Sequence, residues 1–285
     1  MPPIISLALT DSGLWASGPE GLLLIADETV QTVLQPQEQL YCSHSVGKSV
    51  FVGGLPHGIA LSPDNGVNWH TAAIDAVKEP ILSIAAHPQF IENGVMLAGT
   101  AGAGILRTDN RGWNWNTCNF GLENFNVLNF AWSPPMATYA WPRWDVVFAA
   151  TEDGLYRSPN GGLGWRRCTD VEGIFQTVLV SPDFHQDGLV LAGSDGDGLW
   201  ISTDGGRQFE QVPHTPQHVN ALAKTSLGWL LSDDECLYRS LDGVDWNPIP
   251  DTYPALILLD TPGGIWAGTE EGVNYLSITD LENCS

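Results

Sequence analysis

One phrase recurs along this 285-residue chain: Ser-x-Asp-x-Gly-x-x-Trp. Its cleanest copy is Ser62-Pro63-Asp64-Asn65-Gly66-Val67-Asn68-Trp69. The copy at 202–209 carries Asp204 and ends in Phe209 instead of Trp. The copies at 108–115 and 158–165 put Asn110 and Asn160 in the central position and close on Trp115 and Trp165. A copy one residue short, 240–246, carries Asp242 and Trp246. A unit this short cannot bury its own apolar face, so the repeats must stack on one another.

A second phrase precedes each of these, a short apolar strand ending in small residues. Seven copies can be written, among them Met96-Leu97-Ala98-Gly99-Thr100, Val147-Phe148-Ala149-Ala150-Thr151 and Val190-Leu191-Ala192-Gly193-Ser194. The strands that follow begin near residues 22, 59, 105, 155, 199, 237 and 273. That is a period of about 40 residues, the size of one four-stranded propeller blade. Runs such as Ile81-Leu82-Ser83-Ile84-Ala85-Ala86 read as inner strands covered on both faces. No stretch sustains a 3.6-residue period. The expectation is an all-β chain forming a single seven-bladed β-propeller of four-stranded antiparallel blades, at about 4–34, 40–73, 80–119, 126–169, 175–212, 218–249 and 255–285. The last unit ends at Leu281-Glu282-Asn283-Cys284-Ser285, barely enough for a fourth strand. That edge is either completed by the chain's own terminus or left for a partner.

The Ser-x-Asp-x-Gly-x-x-Trp phrase resembles the Asp-box, or BNR, repeat of sialidases, xyloglucan-degrading hydrolases, the sortilin ectodomain and photosystem II assembly-factor propellers. The segment Ser181-Pro182-Asp183-Phe184-His185-Gln186-Asp187-Gly188 looks like the bacterial members of that group. The resemblance covers nearly the whole chain. The units at Ala26-Asp27-Glu28 and Ser277-Ile278-Thr279-Asp280 are degenerate. The resemblance implies the propeller fold and, for the phrase itself, a turn.

The chemistry of the phrase agrees. Asp or Asn at the third position accepts backbone N–H groups of its own turn. Gly at the fifth permits a positive φ. The aromatic at the eighth buries a large area between blades. Asp64, Asn110, Asn160, Asp204 and Asp242, with Trp69, Trp115, Trp165, Phe209 and Trp246, are therefore expected to be structural.

Charge narrows the functions. There are 33 Asp and Glu against 11 Lys and Arg, a formal net charge of −22. Such a surface repels phosphate backbones and anionic membranes, which excludes nucleic acid as a partner. The N-terminus has no basic leader, and no apolar run is long enough to span a membrane. Five Cys with no CxxC pair suggest neither a zinc site nor a disulfide framework, so the expected setting is reducing and cytoplasmic. A sialidase would need Arg residues converging on a substrate carboxylate. Here Arg107, Arg157 and Arg239 occupy one repeat-equivalent position, which spreads them around the rim, and the Arg-Ile-Pro signature is absent. In the resembled xyloglucan hydrolases the acids face each other across two propellers, and one is encoded here. The photosystem assembly factors carry a basic patch, for which this chain has few bases.

Two features decorate the repeat. The turns between second and third strands hold Glu20, Glu152 and Asp153, Asp195 and Asp197, Asp233, Asp234 and Glu235, and Glu270 and Glu271. Equivalent loops share a face, so these acids are expected to form a broken ring, reading as solvated turns, a dock for a basic protein partner, or a site for a cation such as calcium. The second feature is the long loop 133–145, whose Tyr139, Trp141 and Trp144 would either cap their own blade or present an apolar patch to a partner. His214 and His218 flank Pro216 and lack a third metal ligand. No catalytic residue and no bound cofactor is expected. The leading reading is a non-catalytic interaction scaffold. The alternative is a carbohydrate-active enzyme or lectin of the Asp-box group.

Overall fold

The computed structural model describes residues 2–26, 29–34, 39–55, 58–74, 77–136, 145–168 and 173–283. Seven small antiparallel sheets follow one another along the chain, at 6–34, 39–71, 81–117, 127–167, 175–211, 221–249 and 257–277. They form a seven-bladed β-propeller, and each blade is built from consecutive strands. Blade 4 shows the pattern: Val127–Trp132 innermost, then Val147–Thr151, Gly154–Ser158 and the short outer strand Arg166–Arg167.

The innermost strands surround an axial channel of about 360 Å³, to which all seven blades contribute. In blades 2 to 5 the pairing of first and second strands slips by one residue, at Tyr41, Leu82, Leu128 and Gln176. Each such bulge bends its strand, and these four residues all line the channel. The second strands are the most buried. Met96–Thr100, Val147–Thr151, Val190–Ser194 and Gly228–Ser232 have no exposed residue.

The apolar core is divided into seven clusters, and each lies between two neighbouring blades. Trp69 joins the cluster between blades 1 and 2, Trp115 that between 2 and 3, and Trp165 that between 3 and 4. Phe209 and Trp246 continue the series between blades 4 and 5 and blades 5 and 6. The aromatics thus pack where the sequence places them. Trp69, Trp115 and Trp246 donate their indole N–H to the turn glycine's carbonyl at 3.1, 2.9 and 3.0 Å. Trp165 differs and donates to the Cys118 carbonyl of the preceding blade at 3.0 Å.

The turns are held from within. The Ser62 hydroxyl donates to Asp64 Oδ1 (2.9 Å), and Asp64 accepts the Asn68 N–H (2.8 Å), while Ser62 Oγ accepts the Gly66 N–H (2.8 Å). Asn110 and Asn160 accept the equivalent N–H at 3.0 Å, so Asn replaces Asp without losing the bond. Asp204 and Asp242 do the same for their own turns. Backbone donors, Asn68 N–H first, hold the Asp64 carboxyl below its usual range, and Asp245 N–H leads the same effect on Asp242.

The turn glycine has a second duty. Gly206 has φ +75°, and a Cβ there would overlap the Phe148 ring of blade 4. Gly112 lies likewise on Phe51 of blade 2, where a Cβ would stand 2.8 Å from Cε1. Each turn therefore seats on the second strand of the blade before it. Arginine locks the seat: Arg107 Nε donates to the Gly161 carbonyl (3.0 Å) and Arg157 Nε to the Gly205 carbonyl (2.9 Å), each in the next blade's turn.

Blade 7 departs from the expected four strands. Its sheet has three, and Ser277 leads into the helix Ile278–Asn283 in place of a turn and outer strand. Leu281 is buried in the cluster with Leu230 of blade 6, and its carbonyl accepts from Arg239 Nη1 at 3.0 Å. The helix thus occupies the seat a turn fills elsewhere. The ring closes by packing: Ile4, Leu7, Leu14 and Ala16 meet Ile257, Leu259, Trp266 and Val273, and Ile4 N–H donates to the Thr269 carbonyl (2.9 Å). Two further differences from the all-strand expectation are small. Phe90–Asn93 and Phe184–Asp187 are single helical turns whose Phe90 and Phe184 stack edge-on against Phe51 and Phe148. Ala73–Ile74, at the expected limit of blade 2, adds a fifth, parallel strand to blade 3.

Gly206→Ala should lower stability by about 3 kcal/mol, combining overpacking with the left-handed backbone. Gly47→Ala, at φ +58° with nothing within 4 Å of a Cβ, should lose only about 1 kcal/mol. Urea denaturation of both proteins measures the difference, and equal losses would refute the seat.

A pH effect follows from His44, whose Nε2 accepts the Ala86 N–H (3.3 Å) and whose pKa burial lowers to about 4. Burial likewise lowers that of His87. The unfolded chain takes up these protons near the ordinary histidine value of about 6.5 and the folded chain does not. Stability should therefore fall as the pH drops from about 6.5 to 4. Melting curves at several pH values check this, and His44→Asn should flatten the slope.

Candidate functional site

The acids of the second-to-third-strand turns do share a face, together with the loops that link one blade to the next. The backbone shows the contact: Glu152 N–H donates to the Asn126 carbonyl, Asp195 N–H to Ile174 and Gly198 N–H to Gln217. The opposite face carries the Asp/Asn turns.

Glu152, Asp153, Asp195, Asp233 and Asp234 are engaged within the protein. Asp153 pairs with Arg167 at 3.0 Å and Asp195 with His218 Nδ1 at 2.6 Å. Glu152 accepts from Asn126 Nδ2 (2.7 Å) and Asp234 from Asn220 Nδ2 (2.9 Å). Asp233 is buried and ties its own turn, accepting Glu235 N–H and Cys236 N–H at 2.7 Å each and the Tyr238 hydroxyl at 3.0 Å. Burial, and then the Asp233 carboxylate, push the Tyr238 hydroxyl up, so it stays a donor. Asp197 is exposed beside Gly173, and its carbonyl accepts from Gln211 Nε2 (2.6 Å). Glu20 is exposed at a small groove on blade 1 with Pro2 and Leu23. Among the described residues no three His, Cys, Asp or Glu side chains converge as metal ligands would.

Glu270 and Glu271 share one turn and one cleft. Both are exposed, and among the described residues neither carboxylate has a hydrogen-bond partner. They line a cleft of about 700 Å³ between blades 6 and 7, with Asp234, Asn220, Tyr253 and Asn274. Thr269 and Gly272 hold the turn that carries them, through the bond from Thr269 Oγ1 to the Gly272 carbonyl (3.1 Å). The Tyr253 ring, 71% exposed, forms part of the wall. Asn220 and Leu256 line both this cleft and the axial channel, so the cleft opens at the channel mouth. Chemically it offers three carboxylates, two amides and one aromatic ring, a set suited to a cationic or multiply hydroxylated ligand. Tyr253 and Asn220 were missed by sequence reasoning because they belong to linking loops without a repeat.

The other candidates fall elsewhere. Tyr139, Trp141 and Trp144 lie outside the described residues. The flanks of their loop rise on the face opposite the acids, where Gly161 N–H donates to the Asp145 carbonyl and His185 Nε2 lies 2.7 Å from the Pro134 carbonyl oxygen. His214 and His218 border a crevice with Asp233 and Asp234, and His218 is engaged with Asp195. Arg107, Arg157 and Arg239 are the inter-blade locks described above and do not converge. Cys42 and Cys168 are buried, which raises both thiols and leaves them unreactive. Among the described residues no helix is long and apolar enough to cross a membrane.

No family model matches the chain, and no curated protein sequence matches it. The fold is shared with solved structures of low identity. A YCF48 bound to D1 peptide is 18% identical, with 95% of this chain covering 92% of that one at a TM-score of 0.72. YCF48 from Cyanidioschyzon merolae is 13% identical at a TM-score of 0.68, over 95% of this chain and 94% of that one. An ancestral GH74 enzyme is 17% identical at 0.73, this chain covering 45% of its length. These likenesses place the chain among seven-bladed propellers.

Proposed function

We propose that this protein is a non-catalytic propeller that binds a basic segment of a partner protein on its acidic face, with the cleft between blades 6 and 7 as the anchor. We read its turns as Asp-box turns, a structural device. The observation that carries the reading is the contrast among the acids: Glu152, Asp153, Asp195, Asp233 and Asp234 are matched inside the protein, while Glu270 and Glu271 face an open cleft beside Tyr253. A net charge of −22 adds long-range attraction for a basic partner. The structural likeness to a propeller bound to a peptide supports the reading.

A second reading rests on the same cleft. An exposed aromatic beside paired carboxylates also suits a sugar, and a GH74 enzyme shares the fold. Calorimetry with an octa-lysine peptide against a panel of β-glucans and sialosides separates the two. The binding reading expects peptide affinity that weakens with salt and falls roughly tenfold in Asp234→Asn combined with Tyr253→Ala. Glycan turnover abolished by Asp234→Asn would overturn it.

A further inference from the structure

Blade 7 is built like the others except at its outer edge. In blades 2 to 5 the third strand begins with Ile59, Ile105, Leu155 or Leu199, whose carbonyl accepts an N–H from the end of the fourth strand. The donors are Ala72, Cys118, Cys168 and Val212, at 2.9, 2.7, 2.9 and 2.8 Å. In blades 3, 5 and 6 the N–H of that same position donates to Asn119, Thr215 or Thr252, just beyond the fourth strand. The equivalent residue of blade 7 is Val273, by its pairing with Gly268. Among the described residues neither its N–H nor its carbonyl has such a partner. Two residues on, Tyr275 occupies the position of Arg157, which in blade 4 pairs with Arg166 of the fourth strand. The edge is therefore an open ladder. It is half-buried at Val273 and exposed at Asn274 and Tyr275.

The surroundings say what fits. After Ser277 the chain leaves this edge and enters the helix that seats Leu281 on blade 6. A groove of about 520 Å³ runs over the outer strands of blade 6, bordered by Arg239, Pro248 and Ile249. The cleft with Glu271 and Asn274 borders the start of the Gly272–Ser277 strand. Blade 4 supplies the charge rule. There Thr151-Glu152-Asp153-Gly154 corresponds to Thr269-Glu270-Glu271-Gly272, and the fourth-strand Arg167 reaches back to pair with Asp153 at 3.0 Å. In blade 7 the acid is present as Glu271 and the arginine is missing with its strand.

We propose that blade 7 takes an extended, arginine- or lysine-bearing segment of a partner protein as its fourth strand. The segment pairs antiparallel with Val273–Tyr275 and sets its basic side chain on Glu271. Main-chain bonds to Val273 and Tyr275 supply affinity, as in strand addition generally, and Glu271 selects the register.

The probe is a synthetic peptide copying residues 162–168, the chain's own fourth strand of blade 4, with Cys168→Ser. It should bind the full chain and slow hydrogen exchange at the Val273 and Tyr275 amides. Methylating the peptide nitrogen at Arg166 should abolish binding, and Glu271→Lys should weaken it about tenfold. Asp234→Asn with Tyr253→Ala should leave it unchanged, so the edge and the cleft reading of the proposed function fail separately. Equal binding of the methylated peptide, or binding that leaves both amides unprotected, would overturn the proposal. So would protection of those amides by self-association in the absence of peptide, which would assign the edge to a second copy.

Discussion

The structure depends on one joint, repeated from blade 1 to blade 6: a tight turn seated on the second strand of the preceding blade. Everything distinctive in the repeated phrase serves it. The Ser and the Asp or Asn bind the turn's own amides, so it arrives preformed. The glycine lets it approach Phe51 or Phe148 at van der Waals distance. The aromatic fills the same interblade cluster from the side. A single blade is a small sheet with little to bury, and the seven clusters show that the hydrophobic core belongs to the junctions. The buried second strands, the axial channel and the common acidic face all follow from holding the blades at these seats and at the helix that replaces one of them.

Much of this was legible in the sequence. The seven copies of the apolar strand phrase count the blades, and the turn phrase separates the turn face from the acidic face. The structural roles of Asp64, Trp115 and their counterparts follow from the turn chemistry. The partners did not follow. Nothing local tells that Gly206 rests on Phe148, or that Arg107 reaches the Gly161 carbonyl, because a repeat gives position within a blade and not which atoms of the next one meet it. The acidic ring was legible as a set and not as a site. Arg167, His218 and Asn220, which decide which carboxylates stay open, sit in outer strands and linking loops that do not repeat.

Blade 7 combines both lessons. Its degenerate unit at 277–280 already marks it as irregular in the sequence. That the tail forms a helix replacing a turn, with Leu281 in the seat and Arg239 locking it, is a tertiary substitution that no local propensity encodes. The same substitution leaves the outer ladder open beside the acids that remain unmatched, so the asymmetry of the ring and the asymmetry of its charge coincide.

The closing joint differs from the other six in when it can form. Each of those joins blades adjacent in the chain and can assemble as soon as the second of them exists. The seventh brings Ile4 to Thr269, nearly the full length of the protein apart. Relative to a contact spanning about one blade, closing so long a loop adds roughly 1.7 kcal/mol of chain entropy. Among the described residues no strand crosses the joint to offset that loss; side-chain packing and the Ile4–Thr269 bond hold it. Folding therefore runs as a zipper that ends with one long-range step. Transient opening of the native ring begins at the same place, where both termini and the unfinished blade already lie.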